Sequence, residues 1–340
     1  MSDLHPGIVH QEQRFRRQLV FLWVGLLGLV GLSMLLGRYP RPYWLSPKQL
    51  WTDPLALQLV WALRLPRIVA ALLLGASLAA GGLVLQMVFR NPLVEPGFLG
   101  VSQGAAFGAA FSILYLGGSV ILIQVSATIF ALCGLGFSYM LARHLHYGGW
   151  ILRMILAGIA VSAFFAAGVG LLKYLADPLT QLPEITFWLL GGLWSTRWRN
   201  VMAVLPPTLL SLILLYLTRW RLNVLVLEEN TAFSLGVWPN GERAGMIFLS
   251  VVATAAVVSL AGMIGWVGLI VPHMARRVFA PDARYALPAS MVLGSMFTLV
   301  CDDLARTLTG GEIPLGIITS LLGALAFILL MTTQRVRARA

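Results

Sequence analysis

Residues 66–89 read PRIVAALLLGASLAAGGLVLQMVF, and between Arg67 and Arg90 no side chain is charged. About 20 apolar residues in a helix cross the hydrocarbon core of a bilayer, so this stretch is read as a transmembrane helix. Gly75-Ala76-Ser77 and Gly81-Gly82 put small side chains on its faces. Small faces let helices approach closely where no hydrophobic force separates helix from lipid.

Outward from it, the same pattern recurs. Apolar stretches at 18–37, 97–117, 119–142, 152–174, 201–218, 244–264, 285–305 and 313–332 are each candidate spans, and a shorter apolar piece at 266–275 suits a helix enclosed by the others. The expectation is an all-α, polytopic membrane protein of about ten helices, forming a single transmembrane domain over residues 1–340. The 18–37 stretch follows Arg14, Arg16 and Arg17, as a signal peptide would, but it is long for one and no small-x-small cleavage site closes it. It is read as a retained first helix. The longest polar stretches, at about 175–200 and 219–243, are connections between spans, and no separate water-soluble domain is expected.

Composition agrees. Hydrophobic residues make up 59% of the 340 and charged residues 11%, against about 25% charged in an ordinary soluble domain. The net charge of +11 lies at the ends of apolar runs, which points to membrane topology and away from nucleic acid. With an even number of spans both termini share a side. Placing them in the cytoplasm puts Arg90, Arg143, Arg153, Arg219, Arg221, Arg243, Arg276, Arg277 and Arg284 inside with the basic termini. The smaller outer set is then Arg38, Arg41, Lys48, Arg64, Arg67, Lys173, Arg197, Arg199 and Arg306.

Several chemistries are excluded. The only lysines are Lys48 and Lys173, and neither follows a glycine, so there is no Walker A loop to cradle ATP. No HExxH, GxSxG or cysteine cluster occurs, and Cys133 and Cys301 sit inside apolar runs. No catalytic residue and no metal site is expected. Most span centres lack charge, whereas ion-coupled carriers depend on intramembrane carboxylates, which favours a transporter energised from elsewhere.

Four segments in order resemble the FecCD-type permeases, which include importers of vitamin B12, haem and ferric siderophores. They are Arg64-Leu65-Pro66-Arg67 through Gln86 to Asn91-Pro92-Leu93 and Pro96-Gly97-Phe98-Leu99-Gly100-Val101; Phe187 to Leu193; Ala261-Gly262 through Gly265 to His273; and Asp302 to Arg306 with Glu312-Ile313-Pro314-Leu315-Gly316. The match runs from about residue 60 to 332. It implies a type II ABC importer permease fold in the cell (inner) membrane of a bacterium or archaeon. It also implies a homodimer, two cytoplasmic ATPase subunits and an extracytoplasmic substrate-binding protein. No cofactor is expected in this chain, ATP and Mg being bound by the partner ATPase.

The resemblance also assigns roles. Arg64, Arg67 and Arg306 match outer-face arginines that dock the binding protein. A structural pair, Asp302 with Arg306 one helical turn later, would orient the last of these. Asn91 and Leu93 match positions that narrow the cytoplasmic end of the pathway, where Pro92 also supplies a helix stop. The inner 219–243 loop is expected to couple to the ATPase through Glu229, Ala232, Leu235 and Gly236, as two short helices divided by a turn. Glu228 stands where the family pattern leads one to expect glycine. Near the last helix, Gly323-Ala324-Leu325-Ala326-Phe327 lacks the proline often found there.

Other features have plain structural readings. His273 is expected to be a packing histidine. Trp188, Trp194, Trp198 and Trp220 fit an aromatic belt in contact with membrane lipid, and Glu312 suits a helix start. The leading functional reading is the membrane subunit of an ABC importer carrying a metal chelate, with haem, cobalamin or an oxyanion as other cargoes. The alternative is a stand-alone secondary transporter or channel.

Overall fold

The computed structural model describes residues 6–37, 44–227 and 229–337. Arg38, Arg41 and Glu228 lie outside that description. The described residues form fourteen α-helices: α1 Pro6–Leu35, α2 Gln49–Thr52, α3 Pro54–Leu59, α4 Leu65–Val88, α5 Val101–Tyr115, α6 Val120–His144, α7 Trp150–Leu175, α8 Gln181–Leu190, α9 Trp198–Leu225, α10 Glu229–Ser234, α11 Pro239–Ala261, α12 Val267–Val278, α13 Ala283–Thr307 and α14 Leu315–Arg337. One turn of π-helix, Val60–Arg64, joins α3 to α4, and a short 3-10 turn, Pro96–Leu99, precedes α5.

All ten expected membrane helices are present. Eight segments are long and apolar enough to cross a bilayer, and α5 is a shorter apolar helix. At 1.5 Å per residue, α5 and α12 reach only about 22 and 18 Å. Each therefore begins or ends inside the bundle rather than at a surface.

Burial separates the helices. The most apolar window of the α3–α4 segment is 83% buried, whereas that of α1 is 11% buried. Helix α4 is thus the central post, packed on α9, α11, α12 and α13, while α1 lies along the outside of α13. Glycine makes the close contacts possible, as the small-residue runs suggested. A Cβ on Gly75 would sit 2.1 Å from the Gly294 carbonyl oxygen on α13, and one on Gly82 would sit 1.9 Å from the Gly268 carbonyl oxygen on α12. Backbones touch there directly, which maximises dispersion between helices that water does not push together.

Helix ends follow local chemistry. Asp53, Ser119 and Asp282 cap α3, α6 and α13 by accepting a backbone N–H. Prolines occupy the first turns of α3, α4 and α11, where no intrahelical donor is missed. The connection between α9 and α11 is shorter than the expected 219–243 loop. Helix α9 runs to Leu225 and α11 begins at Pro239, because the charges at Arg219, Arg221 and Glu242 lie on helix faces.

Candidate functional site

Three places along the bundle hold the residues singled out above. The first is the end opposite the chain termini. Arg67, on the first turn of α4, donates from Nε to both Asp302 oxygens at 2.9 and 3.0 Å and from Nη1 to Glu312 at 2.8 Å. Arg64 donates to the Met34 carbonyl at 2.6 Å. Arg306 donates to Asp303, to the Ser33 carbonyl and hydroxyl at 2.7 Å each, and to the Leu36 carbonyl at 2.9 Å. The Ser33 hydroxyl in turn donates to Asp303 at 2.7 Å.

The expected Asp302–Arg306 pair is therefore the long contact of the cluster, at 3.9 Å. Successive helix residues point about 100° apart, so Asp302 faces α4 and Arg67 while Asp303 faces α1 and Ser33. The arginines are also less available than expected. Arg64 and Arg306 are 8% and 6% exposed, and Asp302 is fully buried. All three arginines and Glu312 line one cavity of about 240 Å³. Three cations meet three carboxylates here, so the cluster carries no net charge with which to steer a partner from a distance.

The second place lies inside the bundle. After α4 ends, residues 89–100 turn back between the helices. Pro96 lies against Gly81 of α4, and Glu95 and Pro96 lie against Gly268 of α12. Gly81 is about 10 Å in from the end of α4. Glu95 accepts the Trp266 backbone N–H, and Trp266 is held at φ 73°, in the left-handed region that bulky residues avoid. A cavity of about 380 Å³ opens beside it, lined by Glu95, Ser102, Gln103, Ser162, Met263 and Gly265 among others. The Ser162 hydroxyl has no hydrogen-bond partner among the described residues. A carboxylate thus lies inside the helix bundle, beside this cavity. Sequence reading missed it because Glu95 lies between spans rather than within one. The flanking Pro92, Pro96 and Gly97, which prevent a continuous helix, are the only signal.

The third place is the end that holds the termini. Asn91 Oδ1 accepts the Leu93 N–H at 2.9 Å, closing a tight turn after α4. Leu93 projects and is exposed, while Asn91 is half-buried. Arg90, at φ 49°, donates to the Leu227 carbonyl in the connection between α9 and α10. Gln86, one turn earlier, donates to the Gly268 and Leu269 carbonyls at 3.1 Å each and accepts from Arg276 at 2.5 Å. The turn at 90–93 is thereby tied both to α12 and to the connection between α9 and α10.

Among the described residues that loop holds one short helix, α10, and not two: where the first was expected, from Leu225, α9 ends and Val226 and Leu227 form a turn. Ala232 is fully buried and anchors α10, and Gly236 takes φ 78°, a conformation glycine adopts without cost. Leu235 is 61% exposed, with Phe233 at 63% and Trp238 at 67%. The side chain of Glu229 lies outside the described residues. His273 is half-buried on α12. Among the described residues no group of three His, Cys, Asp or Glu is placed to hold a metal ion.

Comparison with known proteins fits this geometry. Residues 24–333 match the FecCD transport family. The molybdate import system permease of Haemophilus influenzae is 38% identical over 91% of this chain and 91% of its own length. An iron chelatin transport system permease of Helicobacter pylori is 36% identical over 82% of this chain and 83% of its own. A solved metal-chelate type ABC transporter in an inward-facing conformation superposes with a TM-score of 0.87 at 38% identity, covering 94% of this chain and 99% of that one. With the family match spanning nearly the whole bundle, this chain belongs to the FecCD transport family.

Proposed function

We propose that this chain is the permease subunit of a binding-protein-dependent ABC importer. It moves a metal chelate, such as a ferric siderophore, across the cell (inner) membrane. Both termini face the cytoplasm. The chain works as a homodimer with two ATPase subunits and an extracytoplasmic binding protein, and it binds no ATP itself. Cargo passes by alternating access: ATP binding brings the ATPases together, they press on α10, and the Asn91–Leu93 turn opens or closes the inner end of the pathway.

The observation that carries this reading is the α10 connection. Phe233, Leu235 and Trp238 expose apolar surface beyond the ends of the membrane helices, where water rather than lipid is the solvent. Such a patch is stable when a protein partner covers it. Pairing of two copies is supported by the exposed small-residue face of α7, which includes Ala160, Ala163, Ala167 and Gly170, and by exposed Ile317, Leu321 and Leu325 on α14. The binding protein meets the opposite end, at the rim of the arginine cavity. Arg67 and Glu312 are already oriented there and offer short-range hydrogen bonds rather than long-range attraction.

One observation favours a second reading. Glu95 beside a cavity inside the helix bundle is the kind of group through which ion-coupled carriers move protons. Uptake into proteoliposomes separates the two. The importer reading expects uptake of a ferric hydroxamate only with ATPase, binding protein and ATP, indifferent to a pH gradient. Uptake by this chain alone, driven by that gradient, establishes the carrier instead.

A further inference from the structure

At the end of the bundle opposite the termini, away from the arginine-carboxylate cluster, two cations have no partner. Arg197 and Arg199 are exposed, flank the start of α9, and form no ion pair or side-chain hydrogen bond with any described residue. They line a cavity of about 590 Å³ together with Ser119, Ser195, Thr196 and Asn200. Thr196 is 5% exposed and Asn200 7% exposed, yet neither side chain has a hydrogen-bond partner among the described residues. Their polar atoms are open to the cavity rather than shut away from solvent, so they can bond a ligand that enters it. Arg197 caps α9 without a side-chain bond, and the Asn200 and Val201 N–H groups bond the Arg197 carbonyl, which leaves the Trp198 and Arg199 N–H groups and the positive end of a 28-residue helix at the cavity.

Directly beneath, sharing Ile121, lies an apolar groove of about 240 Å³ between α6 and α9 with α11 as its floor. Val125, Ile129, Val204 and Pro207 line it. Val125 and Ile129 are 50% and 53% exposed, so the groove opens sideways to the surroundings of the bundle. Gln124 lines the groove beside the polar mouth and is 5% exposed, and neither atom of its amide has a partner among the described residues.

We propose that this is a binding site for one anionic glycerophospholipid, in the leaflet at the end opposite the termini. The phosphate lies between Arg197, Arg199 and the first turn of α9, with Thr196 and Asn200 donating to its oxygens. A glycerol ester oxygen meets Gln124, and an acyl chain fills the groove past Val125 and Ile129. Charge complementarity selects the headgroup: no carboxylate lines the cavity or the groove. Trp198 fixes the helix start by donating from Nε1 to the Trp61 carbonyl at 2.7 Å, as an interfacial aromatic anchor does.

The test is native mass spectrometry of the full chain from mixed micelles containing phosphatidylglycerol and phosphatidylcholine of identical acyl chains. The site predicts retained phosphatidylglycerol, with its preference cut on the order of tenfold by Arg197→Gln with Arg199→Gln. Ile129→Trp, which fills the groove, should reduce retention of both lipids while the melting temperature stays within a few degrees. Glycerol phosphate, which lacks the chains, should not compete. Equal retention of the two lipids by the unaltered chain overturns the site, as does full competition by glycerol phosphate. If the arginine variant keeps its lipid preference but loses response to the binding protein, the two cations serve a protein surface and the lipid assignment fails. The lipid readouts involve no ATP, so they stand or fall separately from the importer reading.

Discussion

The two ends of this bundle treat polar and apolar groups in opposite ways. At the end opposite the termini, charges are drawn inward: Arg64, Arg67, Arg306, Asp302 and Asp303 are largely buried and satisfy one another across α1, α4 and α13. At the end with the termini, apolar side chains are pushed outward, and Phe233, Leu235 and Trp238 stand exposed. A folded chain alone gains from the first arrangement and loses from the second. The charge cluster is therefore structural first, fixing where α4, α13 and the cavity rim sit. The exposed loop carries a cost in solvent-exposed apolar surface, which the importer reading proposed above assigns to a partner. An end that is complete by itself can form a rigid mouth; an incomplete end can be pushed.

The comparison breaks most sharply at Asp302. Asp302→Ala leaves the Arg67 guanidinium buried beside one remaining carboxylate, and removing one partner of a buried pair costs about 3–5 kcal/mol. Loss of monodisperse protein in detergent is expected, whereas Arg67→Met with Asp302→Leu should recover most of the stability. If the double variant is folded but no longer responds to the binding protein, the rim has a docking role as well. Arg64→Glu with Arg67→Glu, the direct charge-reversal test of docking, would place five carboxylates together and should unfold this end, so it cannot isolate docking.

At the other end the pattern should invert. Phe233→Ala with Trp238→Ala is expected to leave the melting temperature of the chain nearly unchanged while weakening ATPase association by about 2 kcal/mol or more, the magnitude of an interface hot spot. Co-purification against ATPase concentration reads this directly. A large loss of stability without loss of association would make the loop structural and erase the contrast.

Arg90→Ala sits between the two. It removes one hydrogen bond to the Leu227 carbonyl, worth about 1 kcal/mol, so stability should fall little. Cargo moved per ATP hydrolysed should fall several-fold, because the gate turn and the coupling loop lose their link. An unchanged ratio would show that coupling runs elsewhere, for instance through Gln86 and Arg276.

The smallest expected effect concerns Asp282, which caps α13 near the inner end. Burial alone would raise its carboxyl, but hydrogen bonds from Arg284 and Asn223 outweigh that and hold it below the ordinary carboxylate range. A depressed folded value stabilises above the unfolded value, near about pH 4, and that contribution disappears as pH falls through the folded value. Asp282→Asn should therefore show a weaker acid-induced loss of stability, by less than about 1 kcal/mol. Identical acid limbs would remove the cap from the account.

The ten membrane helices could be read directly, because a span declares itself by about 20 apolar residues in a row and each glycine-rich face announces a close neighbour. Helix depth could not. Nothing local shows that residues 89–100 fold back into the bundle, so Glu95 reads as a loop residue. The arginine cluster was visible as charges but not as pairs. Arg67 and Asp302 are 235 positions apart, and only the packing of α4 on α13 brings them together. The short helix in the 225–236 connection was legible, but the division into two was not, since local pattern does not show that α9 continues to Leu225 and only α10 follows among the described residues.

The most direct test of the account is ATP hydrolysis by this chain co-purified with an ATPase subunit encoded beside it, with and without the neighbouring binding protein. The account predicts a stable complex whose hydrolysis rate changes several-fold when loaded binding protein is added, and loss of that complex in the Phe233→Ala, Trp238→Ala variant. Failure to associate, or hydrolysis indifferent to the binding protein, would contradict the importer reading and turn attention to Glu95 as the coupling site of a carrier that works alone.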